Sequence, residues 1–149
     1  MKEEKNKHCA LQNTAIRWLY GIGCSVFAQE VPTKNGIADA LGIRTREGSV
    51  ATYYIEAKAS RSDLICLKQK CVYRRSVEWK DMGIDFYYLI VADGVRVEPE
   101  LYPNWGVINE SGEVIRRAKR MANTESATYL LEKIAHVLVY KVFGKLYIP

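Results

Sequence analysis

No run of apolar residues in the chain approaches the roughly 20 needed to span a bilayer, which argues against a transmembrane helix. The charged N-terminus, MKEEKNKHCA, has no hydrophobic segment behind it, so no secretory leader is expected and the chain reads as cytoplasmic, without a membrane partner. Histidine is scarce, with 2 residues, and neither His8 nor His136 stands in a cysteine or carboxylate pattern that resembles a zinc motif. The 4 cysteines, Cys9, Cys24, Cys66 and Cys71, have no zinc or cluster spacing, and small buried or half-buried thiols are expected rather than disulfides. None of the 10 glycines builds a phosphate-cradling loop of the P-loop or dinucleotide type, which argues against ATP dependence. Internal repeats, low-complexity tracts and linkers are absent too.

What is there suits a folded domain. With 149 residues, 48% of them hydrophobic and 26% charged, the chain is long enough to close one core, and residues 1–149 read as a single domain. A formal net charge of +5 permits a polyanionic partner without requiring one.

Apolar residues recur with helical spacing from about Cys9 to Tyr20 and stop at Gly21 and Gly23, predicting a first helix. CSVFAQEV is a strand candidate that Pro32 ends, and strands from Ile37 to about Arg46 and from Val50 to Ala59 follow. Ser60 or Ser62 can cap a second helix running to about Val77, with Asp63 in its first turn, where the helix dipole favours a carboxylate. DFYYLIVA reads as a central strand covered on both faces, and WGVINESGEVIRRAK as two short strands around a Ser-Gly turn. A long amphipathic helix from Ser126 to Phe143 ends at Gly144. The order α-β-β-β-α-β-β-β-α gives an α/β fold, one mixed sheet with helices packed on it.

Charges inside the two strands of IADALGIRTREGSVATYYIEAKAS pose the functional question. A turn centred on Glu47-Gly48 places Asp39 directly opposite Glu56, where like charges repel and something positive should intervene. Lys58, two residues on, projects from the same strand face and supplies part of that charge, and a divalent cation could supply the rest. The competing reading is a solvated face of ordinary salt bridges. Against it, the flanking residues have the character of interior strands, where charges need partners or a metal.

At these residues the sequence resembles the PD-(D/E)XK nuclease superfamily, with Asp39 matching the acid of the second core strand and Glu56-Ala57-Lys58 the acid-x-lysine triplet of the third. Ala38 stands where the proline of the name would be. The run Gln69-Lys70-Cys71-Val72-Tyr73 is similar to the Q-x-x-x-Y helix of RecB-type members, its ends on one helical face. The arrangement FAQEV, IADALGI, YYIEAKASRSDL, DFYYLIVAD and WGVINESGEVIRRAK resembles most closely the small bacterial DNA-repair family called MmcB.

That resemblance implies a restriction-endonuclease-like core and Mg2+- or Mn2+-dependent hydrolysis of DNA phosphodiesters. Asp39, Glu56, Lys58, Gln69 and Tyr73 would be catalytic, with the metal on Asp39, Glu56 and the Ala57 carbonyl, assisted by Glu30, which reads equally as a strand-end surface residue. Arg61, Lys68, Lys70, Arg74 and Arg75 would neutralise DNA phosphates, as could the RRAKR cluster at Arg116 to Arg120. Tyr53, Tyr54, Tyr73, Trp79 and Trp105 could stack on bases or pack the core. Such nucleases often act as dimers, so a second copy of the chain is a candidate partner. The rivals are a nuclease-fold module that holds DNA or a protein without cutting, and a restriction-type or mobile-element nuclease with the same site.

Overall fold

A computed structural model describes residues 2–34, 36–67, 83–100, 102–121 and 127–144. Their elements are α1 (Lys2–Gly21), β1 (Val26–Thr33), β2 (Gly36–Arg46), β3 (Ser49–Lys58), α2 (Arg61–Leu67), β4 (Phe86–Val91), β5 (Gly106–Ile108), β6 (Val114–Arg116) and α3 (Thr128–Phe143). The strands form one six-stranded sheet in sequential order, antiparallel from β1 to β3, parallel from β3 to β5, and antiparallel again at β6. This is the α/β order read from the sequence.

The sheet separates two apolar layers. On one face Leu11, Ala15 and Leu19 of α1, an i, i+4, i+8 stripe, pack with Tyr53, Ile55, Ala57, Tyr88 and Ile90. On the other, Leu64 of α2 and Leu130 and Ile134 of α3 pack with Leu41, Tyr54, Tyr87, Leu89 and Trp105. Strand β4 contributes to both layers, which explains its nearly unbroken apolar sequence.

Helix α1 begins at Lys2 rather than near Cys9, because its first turns are exposed and carry no apolar period to read. Glu3 and Glu4 in that first turn suit the helix dipole. At its far end the chain reverses through Gly23 at φ 97°, and the Cys24 amide donates to the Leu19 carbonyl. The β2–β3 hairpin turns through Glu47 at φ 47° and Gly48 at φ 80°, a two-residue turn whose twist matches that of the strands. It sets the register from Arg46↔Ser49 to Ala40↔Ile55. Ser60 Oγ accepts the Asp63 amide hydrogen and so caps α2.

Two details depart from expectation. Pro32 lies within β1 rather than ending it, because β1 is the sheet edge, where a missing amide donor leaves no ladder bond unmade. Cys9 and Cys66 are exposed, and only Cys24 of the described cysteines is buried; its burial pushes the thiol up to about 11. Helix α3 ends at Gly144, as read from the sequence, with that glycine in a helical conformation, φ −60°. The remainder of the expected second helix, and Cys71, lie outside the described residues.

Regular pleating would send residues three apart to opposite faces. Ala28 and Val31 nevertheless share one apolar layer, as do Ala38 and Leu41. Between them the β1–β2 ladder steps from Gln29↔Ala40 to Val31↔Ala38, and Glu30 has φ 51°. The alternation therefore breaks at Glu30 and Asp39 together. Among the described residues no helix is long and apolar enough to cross a membrane.

Leu19, near the end of α1, packs directly on the sheet at Gly42. A Cβ there would lie 2.8 Å from Leu19 Cδ2 and 3.1 Å from Cys24 Sγ. Gly42→Ala is expected to lower stability by about 1–3 kcal/mol, the range for overpacked cores, measured by urea unfolding. Wild-type stability in that variant would contradict the close packing of α1.

Candidate functional site

The β3 residues Tyr54, Glu56 and Lys58 point to one face, as period two demands. Glu56 is 0% exposed and Lys58 4%. Lys58 Nζ lies 3.5 Å from Glu56 Oε2 and 3.7 Å from Oδ1 of Asp63, the first-turn acid of α2. Tyr54 donates its hydroxyl hydrogen to Glu56 Oε1 at 2.7 Å. A carboxylate is tolerable at this depth only with such partners. Burial, and then the Glu56 charge and the hydrogen bond to it, hold the Tyr54 phenol well above its usual range, with Asp39 and Tyr87 adding to the effect.

The paired residues of the hairpin end at Ala40↔Ile55, one short of the Asp39–Glu56 pair that the turn implied, and the contact of Asp39 with β3 is to the Ala57 amide. Its carboxylate is turned toward α1. Gln12 Nε2 donates to Asp39 Oδ1 at 3.1 Å, His8 Nε2 lies 3.2 Å from the same oxygen, and the Ala57 amide donates to Oδ2 at 2.8 Å. His8 and Gln12 are one helical turn apart and so share a face of α1. Gln12 is itself buried, 4% exposed, an amide in an apolar stripe whose partner is this carboxylate. The broken pleat at Glu30 and Asp39 accounts for the turn, since it releases Asp39 from the face that Glu56 occupies.

The structure thus joins Glu56, Lys58, Tyr54 and Asp63 in one cluster, and Asp39, His8, Gln12 and the Ala57 amide in another next to it on the sheet. The positive group expected beside the two acids is present at Glu56 as Lys58. At Asp39 the α1 side chains and an amide hydrogen take that part. Ala57 meets Asp39 through its N–H.

The other expected site residues divide. Glu30 is exposed on β1, at the position flanking Asp39. Arg61 is engaged on the surface, with Nη2 2.8 Å from Glu98 Oε1 and Nη1 donating to the Arg96 carbonyl; that bond holds the Glu98 carboxyl below its usual range. Gln69, Tyr73, Lys68, Lys70, Arg74, Arg75 and Trp79 lie outside the described residues. Arg116 is a structural clasp, donating to the Trp105 and Tyr102 carbonyls at 3.0 and 2.9 Å. Tyr54 and Trp105 are fully enclosed in the core and cannot stack on a base. Sequence reasoning missed His8, Gln12, Tyr54 and Asp63. Gln12, a polar residue at the inward spacing between Leu11 and Ala15, left a signal, and so did Tyr54, two residues from Glu56 as Lys58 is.

For a hard divalent ion the donors fit in kind. Such ions take one or two carboxylates and complete their shell with water and substrate oxygens. Asp39 and Glu56 are two carboxylates on adjacent strands, although among the described residues no three His, Cys, Asp or Glu side chains gather around one point. Comparison with protein-family models, with curated proteins and with solved structures gave no match.

Tyr54 keeps its proton in the fold to higher pH than in the unfolded chain. Above about pH 10 the unfolded state therefore binds fewer protons, and stability falls as pH rises. Tyr53 and Tyr87 are raised by burial in the same direction. The melting temperature is expected to drop from pH 10 upward, with Tyr54→Phe flattening the slope while losing about 1–3 kcal/mol at neutral pH, because a buried carboxylate loses a donor. Equal slopes in the two proteins would remove Tyr54 from this account.

Proposed function

We propose that the chain is a cytoplasmic, metal-dependent nuclease that hydrolyses DNA phosphodiesters with Asp39, Glu56 and Lys58. The observation that carries this reading is the Glu56–Lys58 pair, sunk in the sheet interior on the strand beside Asp39. A buried ion pair is a poor source of stability, since well-packed apolar residues of similar volume would serve a core as well or better. Chemistry is the better reason for having one. The resemblance to the PD-(D/E)XK superfamily implies the same work for the same three residues, while the resemblance to the MmcB family supports the fold rather than turnover.

In this reading Asp39 and Glu56 would hold Mg2+ or Mn2+ once the Asp39 carboxylate swings from its α1 partners toward Glu56, and the ion would polarise the scissile phosphate and acidify water. Tyr54 fixes one oxygen of Glu56. Gln12 and His8 hold the Asp39 carboxylate on the helix side before that swing. Lys58 orients the attacking water and brings positive charge to the phosphate as negative charge builds on it in the transition state. A second reading, a nuclease-fold module that binds DNA without cutting, draws support from the full enclosure of Glu56 between Tyr54 and Lys58.

Supercoiled and branched DNA incubated with Mg2+ or Mn2+ separates the two. The nuclease is expected to cut in either metal, to stop when EDTA removes it, and to lose about 100-fold or more in rate in Lys58→Ala and Asp39→Asn. DNA binding that persists in EDTA, with no cleavage in either metal, would select the binding module. Equal cleavage by wild type and both variants would indicate a contaminant and end the enzyme reading.

A further inference from the structure

A second cationic feature lies at the other end of the sheet from Glu56 and Lys58. Between the last turns of α1 and the Tyr53–Phe86 end of the β3–β4 ladder is a cavity of about 400 Å3, lined among others by Trp18, Tyr53, Phe86, Tyr88, Arg44 and Arg117. Its volume is within the range of ordinary small-molecule sites. No acidic side chain is among the described residues that line it.

Trp18 and Phe86, half-buried, make the accessible part of the cavity's apolar floor, with Tyr53 and Tyr88, 5% and 7% exposed, packed beneath them. Tyr53 and Phe86 stack at 5.1 Å with 19° between their planes, and Trp18 packs on Tyr88 at 4.8 Å and edge-on to Tyr53 at 5.9 Å. Arginines lie across this floor. The Arg44 guanidinium carbon is 5.5 Å from the Tyr53 centroid, and that of Arg120 is 5.7 Å from Phe86. A guanidinium held against a ring by cation–π attraction loses little further freedom on binding, and its N–H edge stays available for a forked contact to phosphate. Arg44 uses one N–H in a long, 3.5 Å bond to the Ile22 carbonyl, out of five that an arginine carries. Arg117 is exposed. Arg120 is shared with Asp85 at 3.5 Å and plays the lesser part.

We propose that this cavity is a second phosphate site, which takes a nucleotide unit with its phosphate on Arg44 and Arg117 and its base or sugar on the aromatic floor. The nucleotide is either free or part of a single strand. For the strand, the inference rests on the nuclease reading: Trp18 is ten residues from His8 along α1, about 15 Å, or some four to five nucleotide rises from the Asp39 end.

Calorimetry in EDTA tests it, with thymidine monophosphate, thymidine and a short oligothymidylate as probes. Either phosphate-bearing probe is expected to bind, thymidine about tenfold or more weakly, and Arg117→Ala to weaken binding about tenfold. Arg44→Lys, which keeps the charge and removes the fork, should also weaken it, with circular dichroism showing an unchanged fold. Asp39→Asn and Lys58→Ala should bind these probes as wild type does, so loss of cleavage with retention of this binding separates failure of one site from failure of the other. Tighter binding of the oligonucleotide assigns the site to a strand, and tighter binding of the mononucleotide to a free nucleotide. Absence of binding by both, equal binding of thymidine, or insensitivity to both arginine changes would overturn the proposal.

Discussion

A negative charge buried between strands is the constraint to which the rest of the site responds. Glu56 lies in the middle of a sheet with apolar layers on both faces, and an isolated carboxylate at that depth would be untenable. Its surroundings follow from that fact. Lys58 is in reach because residues two apart share a face, Tyr54 because it is two apart in the other direction, and Asp63 because a serine cap starts α2 just beyond the strand. A single strand and the turn after it thereby assemble an acid, a base, a phenol and a second acid. Such a cluster is high in stakes: fully satisfied it rigidifies the sheet, and a missing member leaves a charge without compensation.

Asp39 is treated differently, and the difference is geometric. Had β2 kept a regular pleat, its carboxylate would share a face with Glu56 and the two charges would meet directly. The irregularity at Glu30, a non-glycine residue in left-handed backbone, moves the break in alternation to the place where the second acid enters. Left-handed backbone costs roughly 1–2 kcal/mol at a non-glycine residue, and what accompanies it here is a carboxylate redirected to three donors. Helix α1 therefore works twice, as an apolar stripe through Leu11, Ala15 and Leu19 and as a polar pair through His8 and Gln12.

Much of this was legible from residues alone, for reasons that also set the limit. The Glu47-Gly48 turn fixes a register, and a register fixes which residues face each other, so the neighbourhood of Asp39 with the Glu56 triplet followed from counting outward. Lys58 beside Glu56 followed from strand periodicity. Hidden from that logic was anything that depends on how a helix lies over a sheet. The early turns of α1 carry charge without apolar period, so neither the helix nor the approach of His8 to Asp39 could be read. The pleat break was also invisible, since Glu30 has nothing in its local sequence that demands left-handed backbone. Tyr54 looked like a candidate for stacking because exposure cannot be judged on a strand that is apolar on both faces.

The placement of the two polar features relative to each other is a consequence of the parallel step in the sheet. Strands β3 and β4 run the same way, so the first pair of their ladder, Tyr53 and Phe86, lies at one end and the last, Lys58 and Val91, at the other. Aromatic residues at the first end make a floor that arginines can cover, and charged residues at the second end need compensation from α1 and α2. Helix α1 runs from one feature to the other, with His8 near its start and Trp18 near its end. Its rigidity makes their separation a fixed length, and a polyanion long enough to touch both is measured against that length. If both proposals hold, a ligand shorter than the span would meet one feature or the other, and strand length rather than base identity would be the property to which this geometry is most sensitive.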